Sequence, residues 1–178
     1  FGGSQGARFF FDTIPPALAA LPDQIRRELF VVQQARAEDV QRVEAAYASA
    51  GIRAIVASFF ANLPEEMSKA SLVIGRAGAS TVAELTVMGR PAILVPLPHA
   101  LDSDQLNNAK RLAASGGAWV LEQKDITVDS LAAAVQQLLT DPTSLANAAA
   151  NAKNQGRPDA VIRLADLVEA LMGRRAAA

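Results

Sequence analysis

Short apolar runs rich in β-branched residues alternate with longer alanine-rich stretches, and this alternation restricts the possible folds more than any other feature of the sequence. Nearly all of the runs are apolar throughout, which is typical of strands buried on both faces of a sheet. Such strands belong to parallel sheets whose connecting helices cover both faces. The predicted strands are 29–34, 53–58, 71–75, 91–95 and 118–121. The pattern therefore predicts an α/β fold with a mainly parallel sheet and helices on both faces.

The stretches between the runs have helical spacing and are long enough for right-handed crossovers. The predicted helices are 7–21, 37–50, 81–88 and 104–115, followed after the last strand by 128–139, 144–153 and 159–172. We expect one domain over residues 1–172 and a frayed alanine-rich tail over 173–178. Because residue 1 stands directly before a glycine-rich loop, where an α/β protein has a strand, we expect the chain to begin inside or just after the first strand.

Composition excludes several classes of function. The 17 basic and 18 acidic residues give a net charge of −1, so no overall attraction for nucleic acid is expected. The chain has no cysteine and a single histidine, His99, which excludes disulfides, thiolate metal sites and multi-histidine zinc sites. The longest apolar stretch, 91–101, contains three prolines and is shorter than the roughly 20 residues that span a bilayer. Since no secretory signal is visible, a cytoplasmic setting is expected.

The glycine-rich segment at the start of the chain, FGGSQGA over 1–7, leads from an apparent strand end into a helix. Free backbone N–H groups at a helix start favour a phosphate, although the spacing is neither GxGxxG nor a P-loop. One alternative is a tight turn in which Ser4 caps the helix. Another is G-x-S-x-G over 2–6, the nucleophile elbow of serine hydrolases, with Ser4 as nucleophile and His99 as its base. No feature of the sequence selects the acid that such a triad needs.

A second strand, small-residue loop and helix start follow in SLVIGRAGASTVAE over 71–84. Two such loops would meet at the carboxyl edge of the sheet, where open α/β sheets bind ligands, so a cleft for a phosphate-bearing ligand is expected. Glu84, one turn into the helix, could accept the hydroxyls of a ribose. Equally, Thr81 and Glu84 have the spacing of a capping box. Arg76 could contact a phosphate or a partner, but a solvated loop charge is the default for a lone arginine.

Three segments are specific in combination: GGSQGA at 2–7, RAGASTVAE at 76–84 with GRPAILVP at 89–96, and Asp104-Gln105 followed by Asn108-Ala109. Together they resemble the MurG family of bacterial UDP-N-acetylglucosamine transferases, which make lipid II from lipid I. The resemblance covers essentially the whole chain and corresponds to the C-terminal, donor-binding half of these enzymes. It implies a two-domain GT-B glycosyltransferase, of which this chain would be one Rossmann-like domain, with inverting chemistry, no metal and no cofactor.

Carried over by position, the resemblance assigns a donor site. Gly3, Ser4 and Gln5 would hold the donor diphosphate, and the opposite side of it would be lined by Gly78, Ala79, Ser80 and Thr81. Glu84 would hold the ribose and the backbone of Phe60 the uracil. Gln105 would bind the sugar. Asp104 stands where the family usually has histidine or glutamine, and an ionised carboxylate there accepts hydrogen bonds but cannot donate them.

The resemblance also implies partners. UDP-GlcNAc would be the donor, and an N-terminal domain absent from this chain would supply the catalytic base and bind the lipid-linked muramoyl acceptor. The complete enzyme would be peripheral at the cytoplasmic face of the bacterial inner membrane and would bind no nucleic acid. His99 is expected to have a structural or donor-contact role. The alternatives are a natural half-enzyme, or UDP-sugar binding module, that docks a separate acceptor-binding partner, and a structural domain with no ligand.

Overall fold

A computed structural model describes residues 1–98 and 103–176, with the side chains of 3–7 and 173–176 left aside. Five short strands form two parallel sheets. In the first, β1 (Phe30–Gln34) pairs with β2 (Arg53–Ala57), and Val32 lies opposite Ile55. The second has the order β3 (Val73–Gly75), β4 (Ala92–Leu94) and β5 (Ala118–Val120), and Ile93 lies between Ile74 and Trp119.

Helices connect these strands and then continue to the C-terminal end. They are α1 (Gly3–Ala19), α2 (Asp23–Glu28), α3 (Val40–Ser49), α4 (Leu63–Lys69), α5 (Ala79–Met88), α6 (Asp104–Ala114), α7 (Val128–Leu139), α8 (Pro142–Gln155) and α9 (Ala160–Ala176). Short 3-10 turns precede α3 at Ala37–Asp39 and α7 at Gln123–Asp125. No helix of the described residues is both long enough and apolar enough to cross a membrane.

The predicted parallel α/β class is confirmed, and every predicted strand is present within two residues of its expected ends. The expectation of a single sheet was wrong, because β1 and β3 are not paired within the described part of the chain. The edge of β3 faces Phe1 instead, whose amino nitrogen donates to the carbonyl of Ile74 at 2.8 Å. Two short helices, α2 and α4, were not predicted.

Neighbouring residues of β4 explain why its sequence is apolar throughout. Successive side chains of a strand point to opposite faces of the sheet. Ile93 packs into a core cluster with α1, α3 and α7, whereas Leu94 packs into a second cluster with α5, α6 and α8. Both residues are fully buried. The helices therefore cover both faces of this sheet, as the sequence predicts.

Candidate functional site

The segments that lead into α1 and α5 meet at one end of β3. The carbonyl oxygen of Phe1 is 3.1 Å from the position that a Cβ on Gly75 would occupy, so the two chain segments are in direct contact there. Helix α1 begins directly after this contact at Gly3, and α5 begins at Ala79. The first N–H groups of a helix have no partner within the helix. The structure thus brings the two predicted small-residue loops together at the carboxyl edge of the sheet.

Ser4 lies within the first turn of α1 because the N-cap is Gly2. The interpretation of Ser4 as a helix cap was therefore wrong. The helical backbone also argues against a nucleophile elbow, in which the serine occupies the turn between strand and helix. The side chains of Ser4 and Gln5 are outside the described part of the structure, as is the whole of His99.

Helix α5 begins earlier than the sequence predicted, and this changes the interpretation of Glu84. Its N-cap is Gly78, which offers no side chain, and Thr81 is the third residue of the helix. The proposed capping box between Thr81 and Glu84 was therefore wrong. The Glu84 side chain is half-buried and makes no hydrogen bond or ion pair with any residue that the structure describes. Its carboxylate is available to a ligand.

The start of α6 is fastened to the same edge. Asn108 donates from Nδ2 to the carbonyl of Ala77 at 3.2 Å, just before α5. Gln105 is half-buried, and its Oε1 accepts from the backbone N–H of Leu97 at 3.0 Å. That bond leaves the amide nitrogen of Gln105 as the group with free hydrogens. Asp104 is exposed in the first turn of α6.

Arg76 is buried, with only 6% of its surface exposed, so its interpretation as a solvated loop charge was wrong. Its Nη1 donates to the carbonyls of Val95 at 3.2 Å and Pro96 at 3.1 Å. Its Nη2 donates to Oε1 of Gln123 at 2.7 Å. Burial lowers the pKa of the guanidinium below its ordinary value. Hydrogen bonds to carbonyl oxygens compensate for the water that this cation has lost.

The aromatic rings of α1 cover the same guanidinium. Its central carbon lies 4.9 Å from the ring centre of Phe10 and 5.6 Å from that of Phe9, within the range of cation–π attraction. Sequence reasoning missed these contacts because Phe9, Phe10 and Gln123 are far from Arg76 along the chain. The sequence does contain one indication that Arg76 is buried. The residue directly follows an apolar strand, at the edge where the two loops meet.

Phe60 lies in the loop between β2 and α4 and is half-buried. Its backbone N–H and carbonyl make no hydrogen bond within the described residues. Helix α4, which this loop enters, packs Met67 into the same core cluster as Leu85 of α5. The loop that carries Phe60 therefore leads into a helix that packs against α5. Within the described residues, no group of three or more Asp, Glu or His side chains is placed to hold a metal ion.

An α/β domain with two helix starts converging on one sheet edge, and with an unengaged carboxylate beside them, has the architecture of a nucleotide-binding domain. Comparison with known families gives the particular class. Residues 1–164 match the model of the glycosyltransferase family 28 C-terminal domain. The chain belongs to this family.

Relatives and solved structures agree with this family. The chain is 55% identical over 167 residues to the UDP-N-acetylglucosamine–N-acetylmuramyl-(pentapeptide) pyrophosphoryl-undecaprenol N-acetylglucosamine transferase of Rhodospirillum centenum, an alignment that covers 94% of this chain and 44% of that protein. It is 53% identical over 171 residues to the protein of the same name from Paramagnetospirillum magneticum, with 96% and 46% covered. The crystal structure of Acinetobacter baumannii MurG superposes with a TM-score of 0.84 at 33% identity, over 95% of this chain and 48% of that one. The chain thus spans about half the length of the relatives it matches.

Proposed function

We propose that this chain is the donor-binding half of an inverting N-acetylglucosaminyltransferase, which transfers GlcNAc from UDP-GlcNAc to the lipid-linked muramoyl-pentapeptide acceptor of peptidoglycan synthesis. Two relatives named for this transfer are 53–55% identical to the chain over at least 94% of its length. The carboxyl-edge geometry supports the donor side of the reaction. The acceptor site belongs to the part of those relatives that this chain does not span.

The meeting of the segments that lead into α1 and α5 is the observation that supports the proposal most directly. In it, the backbone N–H groups of Gly3, Ser4 and Gln5 bind one side of the donor diphosphate, and the start of α5 binds the other side through Gly78, Ala79, Ser80 and Thr81. The contact between Phe1 and Gly75 joins the segments that lead into these two turns. The N-terminal ends of both helix dipoles favour a negatively charged group between them.

In the proposal, the uridine and the sugar bind groups that still have free hydrogen-bonding capacity in the folded domain. The Glu84 carboxylate accepts hydrogen bonds from the two ribose hydroxyls. The backbone N–H and carbonyl of Phe60 form hydrogen bonds with the edge of the uracil. Because the Oε1 of Gln105 is already bonded to the Leu97 N–H, Gln105 acts as a donor to sugar oxygens. Asp104 supplies an acceptor for a neighbouring hydroxyl, which is the complementary role.

In the proposed reaction, the acceptor hydroxyl attacks the anomeric carbon of GlcNAc while the bond to the UDP oxygen breaks, and the configuration inverts. Negative charge develops on the departing diphosphate. Preorganised N–H groups of the two helix starts stabilise this charge, and loss of one such donor raises a reaction barrier by roughly 2.7–4 kcal/mol. The base that removes the acceptor proton lies in the acceptor-binding domain, which also makes the peripheral contact with the cytoplasmic face of the bacterial inner membrane.

Glu84→Gln tests the donor site. Titration calorimetry of the chain with UDP, UDP-GlcNAc and UDP-GalNAc is expected to show binding of UDP and a preference for UDP-GlcNAc. The substitution is expected to weaken UDP binding roughly 10- to 100-fold, because hydrogen bonds to a charged acceptor are lost. Glu44→Gln is the matched control, since Glu44 is exposed on α3, on a helix outside the site.

Each competing interpretation has a distinct outcome. A domain without a ligand shows no rise in melting temperature with UDP. Covalent labelling of Ser4 by a fluorophosphonate would identify a serine hydrolase and reject the proposal. Co-elution with a separately encoded acceptor-binding protein in size-exclusion chromatography would identify a natural half-enzyme.

A further inference from the structure

We propose that Arg76 is a positioning residue that orients the Gln105 amide toward the donor sugar, acting through the turn at 95–97. Arg76 itself does not touch the sugar in this proposal. The inference rests on the proposed function for its ligand, and it adds a residue to which the resemblance assigned no role.

The Arg76 guanidinium is bonded to the backbone of the turn after β4. Nη1 of Arg76 bonds two successive carbonyls, those of Val95 and Pro96, where the chain leaves β4. A planar guanidinium with several donors in a fixed arrangement restricts the orientation of both peptide groups at once. Gln123 and the rings of Phe9 and Phe10 fix the guanidinium in turn, from two other segments. A single side chain, that of Arg76, therefore fixes the conformation of the turn after β4.

The same turn is bonded to Gln105, the proposed sugar-binding residue. The residue after Pro96 is Leu97, and its N–H belongs to the same peptide group as the Pro96 carbonyl that Arg76 binds. That N–H donates to Oε1 of Gln105 at 3.0 Å. A peptide group is planar, so fixing its carbonyl also fixes the direction of its N–H. Arg76 and Gln105 thus bind opposite sides of a single peptide group, and the amide nitrogen of Gln105 is directed by this bond.

Arg76→Lys tests this link while it keeps the positive charge. A lysine ammonium lacks the planar donor arrangement and the stacking surface of a guanidinium, so it does not fix the turn. The measured quantity is the sugar increment, defined as the Kd for UDP divided by the Kd for UDP-GlcNAc, both from calorimetry on the full chain. We expect Arg76→Lys to lower the increment about fivefold to tenfold, equivalent to one hydrogen bond. The Kd for UDP itself is expected to change less than about twofold, well below the loss of one hydrogen bond.

Arg90→Lys is the matched control. Arg90 is half-buried and, like Arg76, bonds backbone carbonyls, those of Ala70 at 3.2 Å and Met88 at 3.4 Å. It precedes β4 and therefore lies at the opposite end of the strand from the 95–97 turn. Its substitution is expected to leave the sugar increment unchanged. A merely structural role of Arg76 predicts equal effects for the two variants and would overturn the inference.

A double-mutant cycle and a ligand-free measurement complete the test. If Arg76 acts through Gln105, Arg76→Lys lowers the increment no further in a Gln105→Ala background, whereas additive losses contradict the link.

Hydrogen exchange by NMR is expected to show about tenfold faster exchange of the Leu97 N–H in Arg76→Lys and no change in Arg90→Lys, because loss of a bond of about 1.4 kcal/mol permits tenfold more opening. An unchanged Leu97 rate rejects the inference whatever the ligand does. Absence of any UDP binding by the wild-type chain rejects the proposed function instead, and the exchange measurement still decides the role of Arg76.

Discussion

Helices α7 and α9 carry apolar side chains at the same spacing but differ completely in burial. Leu131, Val135 and Leu138 of α7 are 1%, 2% and 6% exposed. The equivalent residues of α9, Leu164, Val168 and Leu171, are 62%, 47% and 55% exposed. Helical periodicity indicates which face of a helix favours burial, but it does not indicate what that face packs against.

The difference arises from the partners that the rest of the described chain provides. Helix α7 packs on α1, and its apolar face joins a core cluster with Phe10 and Ile14. Its start is also fixed by a capping box between Thr127 and Ser130. In contrast, neither core cluster of the described residues contains a residue of α9. We therefore expect substitutions in the two apolar faces to have very different effects on stability.

The largest effect is expected from Leu131→Ala. This residue is almost fully buried, and truncation of a buried leucine removes its transfer free energy and leaves a cavity, which together cost about 2–5 kcal/mol. Urea denaturation followed by circular dichroism measures the free energy of unfolding. A loss below about 1 kcal/mol, well under the range for buried leucines, would show that α7 is less firmly packed than the structure indicates, and the contrast with α9 would weaken.

A smaller effect is expected from Thr127→Ala at the start of α7. The threonine side chain accepts from the Ser130 N–H at 3.0 Å, and the Ser130 hydroxyl accepts from the Thr127 N–H at 2.9 Å. Loss of an N-cap of this kind costs about 1 kcal/mol. Thr143→Ala in the first turn of α8 is the matched control, because the cap there is Asp141. Equal losses in both variants would show that the capping box contributes nothing to α7.

The sequence predicts the elements of this fold better than their assembly. Buried strands and long helices have strong local patterns, and these were located to within a few residues. Helices α2 and α4 were missed because each is short and lies at a proline, Pro22 as the N-cap of α2 and Pro64 in the first turn of α4, where a turn is equally plausible from sequence. Helix α5 starts before its predicted cap because Gly78, without any side-chain cap, takes the N-cap position.

The candidate site shows the same division. The meeting of the two small-residue loops at one sheet edge could be predicted from local sequence patterns, whereas the assignment of Glu84 to a ribose stays a prediction. The buried environment of Arg76 was not predictable, since its acceptors are Val95, Pro96 and Gln123, which are brought together only by the tertiary fold. Similarly, the Leu97 N–H that bonds Gln105 could not be inferred from spacing.

The smallest effect is expected from Leu164→Ala in α9, and this variant tests the comparison most directly. The leucine is mostly exposed, so truncation removes little buried surface, and alanine favours the helix slightly. The free energy of unfolding is expected to change by less than about 0.5 kcal/mol, as for ordinary surface positions. A loss of about 2 kcal/mol, in the range for buried leucines, would mean that α9 buries its apolar face in solution. In that case repeating the measurement over a range of protein concentrations separates the two ways of burying it, because only association between chains makes the loss depend on concentration.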